Sequence, residues 1–251
     1  GVGDMEHPGT KLPYIAIPTT SGTGSEATKN AVISKIGING FKKSLRHDNF
    51  VPDLSIVDPE LTLNCPSDIT AASGMDCFTQ LTEAYLSDKS NQYTDALALE
   101  GLKAIRLSLK RTCLDGHDTE ARTGMSFAAL TSGICLANAG LGVIHGFASS
   151  IGGLFDIPHG LVCGTLMAKS NEINVRELRK IQGNQTALNK YSLLGQLFLD
   201  EKGKSDDYFI DGFIQYLHKL THDLSLPGLK KYGVDEKDFP SICAITENKN
   251  N

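Results

Sequence analysis

Over the first sixty residues, apolar and polar positions change places in short stretches. LPYIAIPTT (residues 12–20) is a β-favouring run that ends in small hydroxyl residues, and PDLSIVDPELT (52–62) is a second apolar run closed by Asp-Pro. Between them SGTGSEATKNAVIS (21–34) predicts a glycine-rich turn. After Pro66 the period lengthens. SDITAASGMDCFTQLTEAYLS (67–87) keeps a helical spacing, with Ser67 and Asp68 as its capping residues. NQYTDALALEGLKAIRLSLKR (91–111) sets Ala96, Leu99, Leu102 and Ile105 at three- and four-residue steps and carries basic residues at its C-terminal end, where the helix dipole favours them. EARTGMSFAALTSGICLANAG closing at Gly140, then VRELRKIQ, KYSLLGQLFLD and DYFIDGFIQYLHKLTHDL, are further helix patterns, and no strand is predicted between Pro66 and Lys249. The fold class that follows is a piece of an α/β domain over residues 1–66 joined to an all-helical domain over 67–251. No repeat or low-complexity linker separates them, apart from the polar tail ENKNN.

Composition narrows the function classes. The chain has 251 residues, enough to bury a real core, and a formal net charge of −5, so nothing tracks a phosphate backbone and nucleic acid is not expected as a partner. From Thr123 to Phe155 there is no Asp, Glu, Lys or Arg, a run long enough to span a membrane. It is rich in Ser, Thr, Asn and Gly and carries His145, which predicts closely packed helices in a soluble core and no membrane partner. Six scattered cysteines without a CxxC pair read as buried or free thiols in a reducing compartment. The opening GVGDMEHPGT shows no signal-peptide pattern and no initiator methionine, so a cytoplasmic protein is expected and the chain reads as a fragment.

Three stretches can carry chemistry. In PTTSGTGSE (18–26), Gly22 and Gly24 let backbone approach a ligand while Thr19, Thr20, Thr23 and Ser25 offer hydroxyls, a combination suited to phosphate or ribose; an ordinary structural turn would read the same way. In GMDCFTQLTEAY (74–85), Asp76, Gln80 and Glu83 share one helix face, which on its own reads as a solvated face. His145, at the start of a helix, and His159, in a turn after Pro158, lie fourteen residues apart in a nearly uncharged region. Imidazoles joined by a carboxylate make the ordinary ligand set of a divalent transition metal.

IPTTSGTGSEAT, VDPELT, GMDCFTQLTEAY, ARTGMSFAALTSGICLANAGLGVIHG and IPHG follow one another in the order and spacing of the iron-containing alcohol dehydrogenase family, which the chain resembles from Pro13 to His159. The resemblance implies a partial Rossmann-like NAD(P)-binding domain followed by an all-helical metal-binding domain, in a dehydroquinate synthase-like fold. It implies a divalent metal, Fe2+ or Zn2+, between them, a small alcohol or aldehyde as substrate, and self-association into a homo-oligomer. It places Thr19, Thr20, Gly22, Thr23, Gly24, Ser25, Thr28 and Lys42 at the NAD or NADP cofactor, and Asp76, Gln80, His145 and His159 at the metal. The family's GGGS-type pyrophosphate turn would lie upstream of Gly1.

Two positions depart from the family pattern. Gln80 replaces a histidine ligand with a neutral, weaker oxygen donor, and Ser149 stands where a histidine often assists proton relay, which makes Ser149 the candidate relay. The expected reaction is hydride transfer between NAD(P) and an alcohol or aldehyde, with cysteine playing no part. The alternatives are a catalytically silent scaffold or assembly subunit, and a metal-dependent lyase of the dehydroquinate synthase-like fold. The lyase would be expected to show a basic phosphate-binding cluster, and none lies between Asp76 and His159.

Overall fold

A computed structural model describes residues 8–181 and 183–246. The first seven residues, Gln182 at the end of VRELRKIQ, and the tail ENKNN lie outside that range. Each of the two apolar runs contributes a short strand, and the two strands meet: β1 (Ile15–Ala16) pairs in parallel with β4 (Leu54–Ser55), Ile15 opposite Leu54. Between them the glycine-rich turn ends earlier than its pattern suggests. NAVISK forms β2 (Asn30–Lys35), which pairs antiparallel with β3 (Phe41–Arg46), Asn30 opposite Arg46 and Lys35 opposite Phe41. Val32 and Ile33 favour that strand, and the charged FKKSLR hides its partner from a hydrophobicity scan. The turn between the strands holds Gly37 at φ 134, where a side chain would be strained.

From Ser67 onward every regular element among the described residues is helical. These are α1 (Ser67–Leu86), α2 (Gln92–Leu114), α3 (Thr119–Ala139), α4 (Val143–Leu154), α5 (His159–Leu178), α6 (Gln185–Phe198), α7 (Asp206–Asp223) and α8 (Phe239–Ile245). α1 is the axis. α2, α3, α5 and α6 all pack on it, and every residue from Gly74 to Tyr85 is buried. α2 is capped by a reciprocal Asn91–Thr94 box and presents Ala98, Leu102, Ile105 and Leu109 to the core; Ala96, expected in that stripe, faces out. The start of α1 is held differently from the expected Ser67 or Asp68 cap. Pro66 is its N-cap without a side-chain bond, and Ser67 donates instead to the Cys113 carbonyl at 3.2 Å. The buried Arg122 of α3 compensates by donating to Cys65 O, Gly116 O and Thr70 Oγ1 around that start.

The uncharged run from Thr123 to Phe155 is broken at Gly140, and α3 and α4 meet there at 100°. No single helix among the described residues is long and apolar enough to cross a membrane. All six cysteines are free, with Cys77, Cys135 and Cys163 buried.

The Thr/Gly loop lies on α3 and α1, and its glycines make that seat possible. Gly24 adopts φ 60, and an added Cβ there would strike Ala129 O and the Gly133 backbone; a Cβ on Gly133 would strike the Gly24 carbonyl. Replacing Gly133 by Ala therefore pushes backbone against backbone. An overpacking cost of about 1–3 kcal/mol is expected, visible as a melting temperature lowered by about 2–4 °C per kcal/mol. An unchanged melt would show that the loop is not seated on α3.

Candidate metal centre

The face of α1 that reads as solvated in sequence is inside the protein: Asp76, Gln80 and Glu83 are all buried. Ionised carboxylates in that position need partners. Glu83 has two, accepting from Ile144 N at 2.7 Å, in the first turn of α4, and from His145 Nδ1 at 2.6 Å. Gly142, just before α4, allows this approach, since a Cβ there would press on the Glu83 carboxylate. With Nδ1–H committed to Glu83, the opposite ring nitrogen of His145 faces Asp76, Nε2 to Oδ1 being 3.3 Å. A carboxylate that takes one imidazole proton and so turns the other nitrogen inward is the usual support behind a metal-ligating histidine.

His159 arrives from the other side. It is the first residue of α5, not part of a turn, and its Nε2 stands 3.8 Å from Asp76 Oδ1 and 3.8 Å from the Sγ of Cys163, one helical turn on. One ligand atom from each of Asp76, His145, His159 and Cys163 falls within 4.8 Å of the others. Cys163 had no place in the expected set. Its signal was present as His159-x-x-x-Cys163, the same one-turn spacing as Asp76-x-x-x-Gln80, but scattered cysteines conceal it.

The charge states follow from the packing. Burial would strip His145 of a proton, but Cys163, Asp76 and Glu83 outweigh burial and hold its proton affinity well above the ordinary imidazole value. Burial pushes His159 down to about 4, against the opposing pull of Asp76, so this ring is neutral. Burial would raise Asp76, yet the two histidines keep it below the usual carboxylate range. Burial pushes the Cys163 thiol up to about 12. Lys42, on β3, reaches Nδ1 of His159 at 3.2 Å, with its own proton affinity lowered by burial. A protonated Lys42 donating there leaves the ring proton on Nε2. A metal on Nε2 reverses that arrangement, so Lys42 must then release the ring or accept from it as a free amine.

Gln80 donates its amide to the carbonyl of Thr23 at 3.1 Å, tying the Thr/Gly loop to α1, and its buried Oε1 has no partner. Within the loop Thr19, Thr20, Thr23 and Ser25 are exposed, whereas Gly22, Gly24 and Thr28 are buried. The close approach of its glycines is thus to helices α1 and α3, and the hydroxyls face outward. Thr20 and Thr23 line a cleft of about 440 Å³ together with Asp76, His159, Leu224 and Tyr232. Ser149 is not brought to that cleft; its hydroxyl donates to the His145 carbonyl at 3.0 Å.

Residues 70–250 match the model of the Fe-containing alcohol dehydrogenase family, C-terminal part, and residues 2–59 match that of iron-containing alcohol dehydrogenase. The chain belongs to the iron-containing alcohol dehydrogenase family. It is 34% identical over 233 residues to alcohol dehydrogenase 4 of Saccharomyces cerevisiae, covering 92% of this chain and 58% of the yeast protein. With the NAD-dependent methanol dehydrogenase of Bacillus methanolicus the identity is 32% over 97% of this chain and 61% of that one. A crystal structure of 1,3-propanediol oxidoreductase superposes with a TM-score of 0.84 at 31% identity, over 93% of this chain and 59% of that one. The chain thus spans about three-fifths of the length of these relatives. As in the fold expected from sequence, a segment with short strands, consistent with part of a Rossmann-like domain, precedes an all-helical one.

The donor set suits the divalent metal that the family name implies. An imidazole oriented by Glu83, a second imidazole and a carboxylate crowd one point, and Gln80, one helical turn on from Asp76, has a buried amide oxygen without a partner. Glu83→Gln removes the charge that orients His145, and a zinc affinity about 10- to 100-fold lower is expected, measured by competition with a chromophoric chelator. Unchanged affinity would mean that His145 is not a ligand.

Proposed function

We propose that this chain is the metal-binding and partial cofactor-binding portion of an NAD(P)-dependent alcohol dehydrogenase or aldehyde reductase. The observation that carries this reading is the convergence of Asp76, His145 and His159 at the end of a cleft rimmed by the Thr/Gly loop. A bound divalent cation supplies Lewis acidity to the alcohol or carbonyl oxygen, and the nicotinamide supplies the hydride acceptor or donor.

The chain's own residues do the rest. Asp76, His145 and His159 hold the cation, with Gln80 Oε1 as a weaker neutral donor, and Glu83 fixes the His145 ring. Asp76 and His159 face the cleft, so substrate approaches from their side, while His145 and Cys163 lie behind. Thr19, Thr20, Thr23 and Ser25 offer hydroxyls to the dinucleotide on a loop that Gly22, Gly24 and Thr28 anchor, and Lys42, held against His159, is the cation assigned to the same cofactor. Ser149, whose hydroxyl donates to His145 O and does not line the cleft, is assigned no direct proton transfer with the substrate. The substrate class is a small alcohol or aldehyde, and self-association into a homo-oligomer completes the reading.

Elemental analysis after anaerobic loading with iron(II) or zinc tests it. About one metal per chain is expected, abolished by His145→Ala or His159→Ala and raised by Gln80→His, together with NAD(P)-linked turnover of alcohols by the loaded protein. Equal metal retention in all three variants and the parent would place the site elsewhere and leave the silent scaffold as the better reading.

A further inference from the structure

The first turn of α5 is built to lie unusually close to α1. A Cβ on Gly160 would strike the Ala72 carbonyl and come within 3.0 Å of Asp76 Cβ, and one on Gly164 would stand 2.8 Å from Met75 Cβ. Each of these two glycines follows directly on a metal-type donor, His159 and Cys163. The pair of glycines, one turn apart, therefore delivers two side chains, one turn apart, to the same carboxylate.

Cys163 is fully buried, and a buried cysteine ordinarily sits among hydrocarbon as a small inert hydrophobe. This one faces Asp76 and two imidazoles, groups that gain nothing from an apolar neighbour. The separations have the scale of a coordination shell. Bonds of about 2.0 Å to nitrogen or oxygen and about 2.3 Å to sulfur set tetrahedral edges of roughly 3.3–3.5 Å. The structure shows 3.3 Å between His145 Nε2 and Asp76 Oδ1, and 3.8 Å from His159 Nε2 both to Asp76 Oδ1 and to Cys163 Sγ. These three separations lie within a few tenths of an ångström of such edges, and all four donor atoms lie within 4.8 Å of one another.

We propose that Cys163 binds the metal as a thiolate beside Asp76, His145 and His159, supplying the strong donor that Gln80 does not, and that the site thereby favours zinc or cobalt(II) over iron(II). This rests on reading the cluster as a metal centre. As the metal–sulfur bond forms, the S–H bond breaks and its proton passes to solvent; no electrons are transferred. An N2OS donor set of near-tetrahedral size suits a borderline-soft ion, whereas carboxylate and imidazole alone discriminate less.

The test is the absorption spectrum of the full chain stripped with chelator and loaded anaerobically with one equivalent of cobalt(II). The expected result is an intense near-ultraviolet sulfur-to-cobalt charge-transfer band alongside visible ligand-field bands. Cys163→Ser should lose the former and keep the latter, with a zinc affinity reduced by more than the ~10- to 100-fold typical of losing an outer-shell partner. Bound cobalt without the charge-transfer band, or a band that survives in Cys163→Ser, would overturn the assignment of Cys163 and leave the metal centre standing. No bound cobalt in the parent would overturn both. Should the serine variant fail to fold, X-ray absorption of the zinc-loaded parent decides: one sulfur scatterer at about 2.3 Å supports the thiolate, and only nitrogen and oxygen at about 2.0–2.2 Å exclude it.

Discussion

The structure turns on the complete burial of α1 between Gly74 and Tyr85, because that helix carries two carboxylates and a carboxamide into the interior. An uncompensated buried carboxylate costs several kcal/mol, a large share of the total stability of an ordinary domain. The surrounding architecture is arranged as compensation. Both helices that meet the polar face of α1 arrive N-terminus first: α4 puts Ile144 N–H on Glu83, and α5 begins at His159 beside Asp76. Helix N-termini carry positive dipole ends that favour negative charge, so both helices present to α1 the end that suits a carboxylate.

Close approach is the second requirement, and it is met by omission of side chains. Gly142 admits Glu83 to the start of α4, and Gly160 and Gly164 admit α5 to α1. Gly152 and Gly153 seat the hairpin on α4, where Lys42 of β3 passes over Gly152 on its way to His159. Hairpin, loop and helices thus converge on one cluster although their sequence separation exceeds a hundred residues, as between Lys42 and His159. The same economy explains why the site is asymmetric. Its open side is formed by the exposed hydroxyls of the loop and by His159, whose side chain is 28% exposed, and its closed side by Cys163 and His145.

Much of this was legible from residue order, and the limits of legibility have physical causes. The positions of α1, α2, α3, α6 and α7 follow from their own spacing and from stops such as Gly140, whereas the VRELRKIQ pattern catches only the last turn of α5, which begins at His159 and ends at Leu178. The strands β1 and β4 fall within the two apolar runs, but their parallel contact was not legible, because the hairpin that separates them is what makes it parallel. The hairpin escaped because FKKSLR is charged and half-exposed, so neither of its faces writes an alternation. The α1 face was misread because periodicity assigns polar residues to solvent, and a helix buried on all sides breaks that rule. Asp76, His145 and His159 come together as the family resemblance implies. Glu83 went unassigned because its partners, Ile144 and His145, lie on another element, a relation that local spacing cannot express, and Cys163, one turn from His159 on the same helix, was concealed among scattered cysteines.

His145 retains a proton between Asp76 and Glu83, and that imidazolium is itself a cation placed at the carboxylates. It contributes stability below the unfolded imidazole value, and that contribution is lost as pH rises through the higher folded value. Metal uptake runs the other way, because the cation must displace the proton from Nε2 and so gains affinity as pH rises. Proton and metal are thus alternative neutralisers of the same two carboxylates, each dominant on its own side of the pH scale. A cluster so arranged is poised to exchange one cation for another without exposing Asp76 or Glu83 to an uncompensated interior.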